Sequence, residues 1–312
     1  MSLLVVGSVA FDAIETPFGK TDKIVGGAAS YISLAASYFT RSTNLVAVVG
    51  DDFPHNFIQH LNKHGVNTEG LQIKEGEKSF FWSGKYHTDM NSRDTLITEL
   101  NVLGSFDPIV PASYQDCEYL MLGNLTPKVQ QTVIERLTKR PKLIVMDTMN
   151  FWMEVAMDDL RQTLKMVDVL TINDEEARQL SGEYSLVKAA AKIQEMGPKY
   201  LIIKKGENGA LLFHGKQVFF APALPLEEVF DPTGAGDTFA GGFIGYLAKT
   251  DDISFENMKN AIIFGSAMAS FCVERFGTER IIDLSQRELD DRIQAFKNLV
   301  RFNIGANLSQ DN

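Results

Sequence analysis

Two kinds of apolar pattern alternate along this chain. Leu3–Val6, Asn44–Val49, Tyr119–Leu122, Leu143–Met146, Val169–Ile172 and Tyr200–Ile203 are short, nearly continuous apolar runs. Such runs mark strands buried on both faces, as in a parallel sheet. In Ala28–Phe39, Phe53–His64, Val129–Leu137, Met153–Met166, Phe255–Val273 and Leu284–Leu299 the apolar residues return at helical spacing, which predicts helices. From Tyr119 onward strand and helix take turns, so right-handed βαβ units should build a sheet covered on both faces. The stretch from Ser79 to Glu99 differs. Phe80, Phe81, Trp82 and Tyr86 stand among Ser, Gly, Lys and His, and Thr95–Thr98 follows. This predicts short antiparallel strands on one side of the core.

Composition narrows the function. At 312 residues the chain can bury a substantial core, and its net charge of −10 argues against a general nucleic-acid or membrane-surface binder. Two cysteines, Cys117 and Cys272, supply neither a disulfide framework nor a metal cluster and fit a reducing, cytoplasmic setting. The most apolar segment, Ala261–Val273, is shorter than the ~20 residues a membrane helix needs, and Leu3–Gly7 reads as a strand instead of an export signal. His55, His60 and His64 fall on one predicted helix, but no carboxylate or cysteine is interleaved among them, so a solvated face is expected there.

The chemistry concentrates in Phe230–Gly242. Asp231-Pro232 breaks the chain, Gly234, Ala235 and Gly236 leave the following backbone bare, and a helix should start near Ala235, with Phe239, Phe243, Ile244 and Leu247 on its buried face. A helix start exposes N–H groups and a partial positive charge, which suits an anion such as a phosphoryl group. Asp237, in the first turn, would repel that anion unless it faces the group that attacks it. An ionised carboxylate there can take a proton from an alcohol, which describes transfer of a phosphoryl group to a hydroxyl.

Asp231-Pro-Thr-Gly-Ala-Gly-Asp-Thr-Phe-Ala-Gly-Gly242 also closely resembles the C-terminal motif of the ribokinase-like, or PfkB, carbohydrate kinases. The resemblance extends over nearly the whole chain. It implies an α/β three-layer sandwich over residues 1–305, a small β-sheet lid from segments near 12–24 and 75–100, and a frayed tail at 306–312. It implies Asp237 as base, with amides from Gly234, Ala235 and Gly236. Asp12, Gly26 and Gly27 match the acceptor-binding positions, with Tyr31 standing where many sugar-kinase members carry Asn. Asn173 and Glu176 match an Asn-x-x-Glu element that organises Mg²⁺, Glu176 acting through water. Lys205, Gly206, Gly209, Thr233 and Gly277 match the nucleotide side, Gly277 bordering the adenine. Asn124 and Asp147 end their strands at the ligand edge, and neither they nor Arg93 is assigned a role.

The expected activity is therefore ATP-dependent phosphorylation of a small sugar, with Mg²⁺ and, in such a family, room for a monovalent cation. The alternatives are a nucleoside kinase of the same fold, favoured by Tyr31 and the aromatics of 80–82, and a catalytically silent sugar- or nucleotide-binding regulator. The expected partners are ATP and a small sugar or nucleoside, without nucleic acid or membrane, and the lid offers a surface for a homodimer. No Gly-x-x-x-x-Gly-Lys-Ser/Thr is present, which excludes a P-loop enzyme, and the order of motifs does not fit a protein kinase.

Overall fold

A computed structural model describes residues 1–301; the tail expected at 306–312 lies outside the described residues. The chain opens with β1 (Leu3–Val6) and then forms β2 (Ala10–Thr16), β3 (Gly19–Lys20) and β4 (Ile24–Gly26). Helix α1 (Ala28–Ser37), β5 (Thr43–Gly50), α2 (His55–Lys63) and β6 (Val66–Lys74) follow, then a hairpin of β7 (Phe81–Tyr86) and β8 (Arg93–Glu99). Next come β9 (Tyr119–Leu122), α3 (Pro127–Glu135), β10 (Leu143–Asp147), α4 (Asn150–Val155), α5 (Met157–Leu164), β11 (Val169–Asn173), α6 (Asp174–Ser181) and α7 (Leu186–Glu195). The last part holds β12 (Tyr200–Lys204), β13 (Ala210–His214), β14 (Gln217–Ala221), α8 (Ala235–Thr250), α9 (Phe255–Cys272), α10 (Glu279–Ile282) and α11 (Gln286–Leu299).

Nine strands form the main sheet in the order β14-β13-β12-β11-β10-β9-β1-β5-β6. It is parallel except where β12, β13 and β14 turn back on one another. Side chains alternate across each strand, so β1 sends Leu3 and Val5 to one face and Leu4 and Val6 to the other, all four fully buried. The first face packs on α1, α2, α8, α9 and α11, the second on α3 to α7. This is the three-layer α/β sandwich the apolar runs predict.

A second sheet of five strands is built from β3-β2-β7-β8, with β4 also pairing β2, through Ala10–Asp12. The hairpin β7–β8 is antiparallel, as expected from its sequence. The β2–β7 pairing is parallel, because the two strands come from different excursions out of the main sheet.

Helix α8 lies in a groove that only glycine permits. A Cβ on Gly241 would fall against the carbonyl of Ile32 in α1, one on Gly245 would stand 2.8 Å from Ala36 Cα, and one on Gly242 would stand 3.0 Å from Gly265 Cα in α9. The helix that carries the candidate base is thus seated on two neighbours by backbone contact. Gly241→Ala separates the two effects that compete here. Helix propensity alone favours Ala by about 1 kcal/mol, whereas overpacking costs about 1–3 kcal/mol. The contact should win, and the urea midpoint of the variant should fall; a rise would show that α1 and α8 leave room for a methyl group.

Candidate active site

The start of α8 is held by Asp231. Its carboxylate accepts from the N–H of Thr233 at 2.8 Å and from the N–H of Gly277 at 3.0 Å, and the residue is 1% exposed. Gly234 then caps the helix at φ 75°, in the left-handed region, and a Cβ there would meet the Tyr31 ring at 2.5 Å. The N–H of Ala235 turns back to the Pro232 carbonyl at 3.2 Å, and that of Thr238 to the Gly234 carbonyl at 2.8 Å. Among the described residues no hydrogen bond takes up the N–H groups of Gly236 and Asp237. The amide expected from Ala235 is therefore committed to the turn, and the open donors at the positive end of α8 are those of Gly236 and Asp237.

Charge gathers opposite those donors because three neighbouring parallel strands end together. β10 ends in Asp147, β12 in Lys204, and β11 runs into Asn173 and α6. Ligands of open α/β sheets collect at such carboxyl ends. Lys204 Nζ lies 2.6 Å from Asp147 Oδ2, which also accepts from Thr171 Oγ1 at 3.2 Å. The same ammonium would stand 3.1 Å from a Cβ on Gly236, so it borders the helix start. Glu176 closes a capping box: its Oε2 accepts from Asn173 N at 2.8 Å, while Asn173 Oδ1 accepts from Glu176 N at 2.8 Å.

Three carboxylates share this space with one lysine, and the acidities of Asp237 and Glu176 show it. Burial, followed by the charge of Asp147, pushes Asp237 up to about 7 against the pull of Lys204 and Arg93. Burial likewise raises Glu176 to about 7, again with Lys204 opposing and Asp147 assisting. Burial works against the Lys204 ammonium, but Asp147 and Glu176 outweigh it and its pKa rises. No three His, Cys, Asp or Glu side chains among the described residues converge as a ready-made metal cage. The excess of carboxylate fits a hydrated divalent cation whose remaining ligands are water and phosphate oxygens.

Asp12 lies on β2 of the second sheet, beside Trp82 of β7, not in a loop beyond β1. Strand β1 ends at Val6 and β2 begins at Ala10, which moves Asp12 from turn to ladder. Its carboxylate packs against Gly26 so closely that no Cβ fits there, and burial, then Asp231, raises it to about 7. Gly27 has φ 92° and starts α1. Tyr31 is 1% exposed, with its ring beneath Gly234 and its hydroxyl without a hydrogen-bond partner among the described residues. The Tyr31 ring thus packs under the start of α8, and the half-buried Trp82 is the aromatic beside Asp12.

On the other side Gly206 and Gly209 have φ of 52° and 78°, and Lys205 N donates to Gly209 O at 2.8 Å to close the loop. Of the two adjacent lysines it is Lys204, not Lys205, whose side chain enters the carboxylate cluster. Thr233 Oγ1 donates to Tyr86 Oη at 3.2 Å. Gly277 packs on Ile24 and Val25 of β4 and lines an open cavity of about 910 Å³ with Phe230 and Phe276, which places it against the acceptor-side strand. Asn124 is occupied by α4, accepting from Trp152 Nε1 at 2.8 Å. Asp147 is the member of the cluster that the sequence places at the ligand edge without a role, and Lys204 is the neighbour of the Lys205 assigned to the nucleotide side.

Comparison with known proteins agrees in extent as well as in fold. The family model described as pfkB family carbohydrate kinase matches residues 2–283. A cytidine kinase of Thermococcus kodakarensis is 32% identical over 253 residues, covering 79% of this chain and 88% of the relative. A nucleoside kinase of Methanothermobacter thermautotrophicus is 27% identical, covering 89% and 91%. The ribokinase structure of Giardia lamblia superposes with a TM-score of 0.78 at 20% identity, over 94% of this chain and 99% of that one. The match spans both sheets and the start of α8, and the chain belongs to the pfkB family of carbohydrate kinases, a family of phosphotransferases.

Proposed function

We propose that this protein transfers the γ-phosphoryl group of ATP to a sugar hydroxyl, with Asp237 as the base. The observation that carries the reading is one buried carboxylate, raised to about 7, in the first turn of a helix whose Gly236 and Asp237 amides have no partner among the described residues. Asp12 and the bare backbone of Gly26-Gly27 hold the acceptor. The acceptor hydroxyl attacks the γ-phosphorus as its proton passes to Asp237; the bond to the β-bridging oxygen breaks and ADP leaves with that electron pair. The open amides and Lys204 take up charge on the phosphoryl oxygens. Glu176 and Asn173 would hold Mg²⁺, through water at Glu176, and the bound ion adds positive charge at the donor phosphates. Gly206 and Gly209 form the donor loop together with Lys205, while Thr233 opens α8 and Gly277 lies against β4 on the acceptor side. The second sheet acts as the lid, and Leu96 and Ile97, 56% and 47% exposed on β8, support a homodimer contact there.

The acceptor hydroxyl belongs to a free sugar or to the ribose of a nucleoside. The similarity to a cytidine kinase and a nucleoside kinase, and the position of Trp82 beside Asp12, support trying the nucleosides first. Stacking on an aromatic is worth roughly 1–3 kcal/mol, so Trp82 can distinguish a nucleoside from ribose by about ten- to a hundredfold.

Asp237→Asn keeps the amides and removes the proton acceptor. Its turnover should fall on the order of 10²–10⁴-fold, with Mg-ADP affinity close to that of the parent. Turnover at the parent rate, measured on pure variant, would remove Asp237 from the role of base.

The same carboxyl sets a pH dependence. Because its pKa is raised to about 7, the protonated and inactive form predominates below that pH. kcat/KM should climb with pH and level off above about 7, and a flat profile between pH 5.5 and 8 would show that no such group must ionise.

A further inference from the structure

Asp52 follows the end of β5 and takes no part in the scheme above, yet the second sheet is tied back to it at the roots of β2, β4, β7 and β8. Its Oδ1 accepts from Ser79 N at 2.8 Å and from Ser79 Oγ at 2.7 Å, just ahead of β7. Ser79 is 1% exposed and passes the connection on. Its Oγ accepts from Gly50 N at 3.0 Å, and its carbonyl accepts from Asn101 Nδ2 at 2.9 Å, just past β8. The other oxygen of Asp52 holds Lys23 Nζ at 2.9 Å, and that ammonium stands 3.8 Å above the ring of Phe11. Lys23 leads into β4, and Phe11 belongs to β2.

Three observations mark this joint as a determinant of where the sheet sits. The backbone of Glu77–Ser79 crosses Gly50 so closely that no Cβ fits there. Asn101 has φ 45°, in the left-handed region that few side chains adopt, and its carboxamide is the group bonded to Ser79. Beside these contacts the packing is open: a cavity of about 290 Å³ lies between Lys23, Asp52, Lys78, Phe81, Glu99 and Asn101. Hydrogen bonds rather than packed side chains therefore set the attachment on that side. The Lys23–Asp52 pair is exposed and weak by itself. The Ser79 bonds matter more, because without the carboxylate two donors of a buried residue lose their acceptor.

The joint reaches the cleft through the strand ladder. Phe11 N donates to Phe80 O at 2.9 Å, next to Ser79, and the residue after Phe11 is Asp12, whose side chain takes the opposite face of β2. Asp12 lies within electrostatic reach of Asp237: after burial and Asp231, the charge of Asp237 also helps raise it to about 7. A tilt of the sheet about Ser79 thus changes the spacing between the acceptor-binding carboxylate and the base, while α8 and the donor loop stay in place.

We propose that Asp52 is a positioning residue: through Ser79 and Asn101, and through Lys23 on Phe11, it fixes the second sheet so that Asp12 presents the acceptor hydroxyl to Asp237 and keeps water from that place. The inference rests on the kinase reading with Asp12 on the acceptor.

The test uses the full chain with Asp52→Ala, Asp52→Asn, Ser79→Ala and Asn101→Gly, the last keeping a residue suited to positive φ while removing the carboxamide. ADP, phosphomonoester and inorganic phosphate are measured with Mg-ATP and the best acceptor of the parent. Asp52→Ala should lose about 10- to 100-fold in kcat/KM for the acceptor, the cost of a misplacement of about 1 Å. The share of ATP that ends as inorganic phosphate should rise at the same time, because water attacks where the acceptor is held out of line. Asp52→Asn can still accept from Ser79 and should recover part of the loss; Ser79→Ala and Asn101→Gly should move the phosphate share in the same direction as Asp52→Ala. The thermal shift with Mg-ADP should match that of the parent in all four. An acceptor kcat/KM within about threefold of the parent, or a fall that leaves the phosphate share unchanged, overturns the proposal and leaves the kinase reading standing. If Asp52→Ala does not fold, the other three variants decide by the same readouts. A parent that shows neither acceptor-dependent turnover nor a shift with Mg-ADP overturns the kinase reading and this proposal with it.

Discussion

The ion pair between Lys204 Nζ and Asp147 Oδ2, 2.6 Å apart at the ends of β12 and β10, governs the whole site. Both groups are largely withdrawn from water, with side-chain exposures of 17% and 8%, and each would be costly alone. Removing one partner of a buried pair typically costs about 3–5 kcal/mol because the other is left uncompensated. Here the loss would spread further, since Lys204 is the cation that opposes burial at both Asp237 and Glu176. The parallel sheet creates this arrangement. Strands β10, β11 and β12 are in register, so Asp147 stands beside Thr171 and Asn173 beside Lys204.

Helix α8 brings the complementary part. Its amides meet the cluster because Gly241, Gly242 and Gly245 let it sink onto α1 and α9, and because Asp231 ties its first turn to Gly277. The stabilities of core and site are thus coupled: a methyl group at the α1–α8 contact would shift the base as well as the fold. The second sheet supplies Asp12 from β2 and fastens its hairpin to Thr233 and Gly206, so acceptor and donor sides share one covering element.

Much of this was legible in the sequence, for physical reasons that differ by element. Tyr119–Leu122 is buried on both faces, and its apolar run gives its bounds directly. β6 and β14 escaped the reading because Val66–Lys74 and Gln217–Ala221 are edge strands with much of their surface in water, so polar residues interrupt the run. Asp12 looks like a turn residue until β2 is seen to begin immediately after β1. Asn173 and Glu176 stand out through the family resemblance of Asn-x-x-Glu, a pattern that the capping box explains as well as a metal role does. Lys204 was passed over for Lys205 because neighbours at a strand end point to opposite sides, and no local pattern tells which side holds the ligands. Tyr31 was read as a pocket aromatic, since nothing in its own helix shows that Gly234 will rest on its ring.

The most direct measurement is of product. Purified protein would be incubated with Mg-ATP and, separately, cytidine, other nucleosides and free sugars, and followed by phosphorus NMR. The account predicts ADP and a phosphomonoester in equal amounts with at least one of these acceptors and negligible inorganic phosphate without one. ATP consumed only to inorganic phosphate, or no acceptor-dependent turnover across the set, would contradict it.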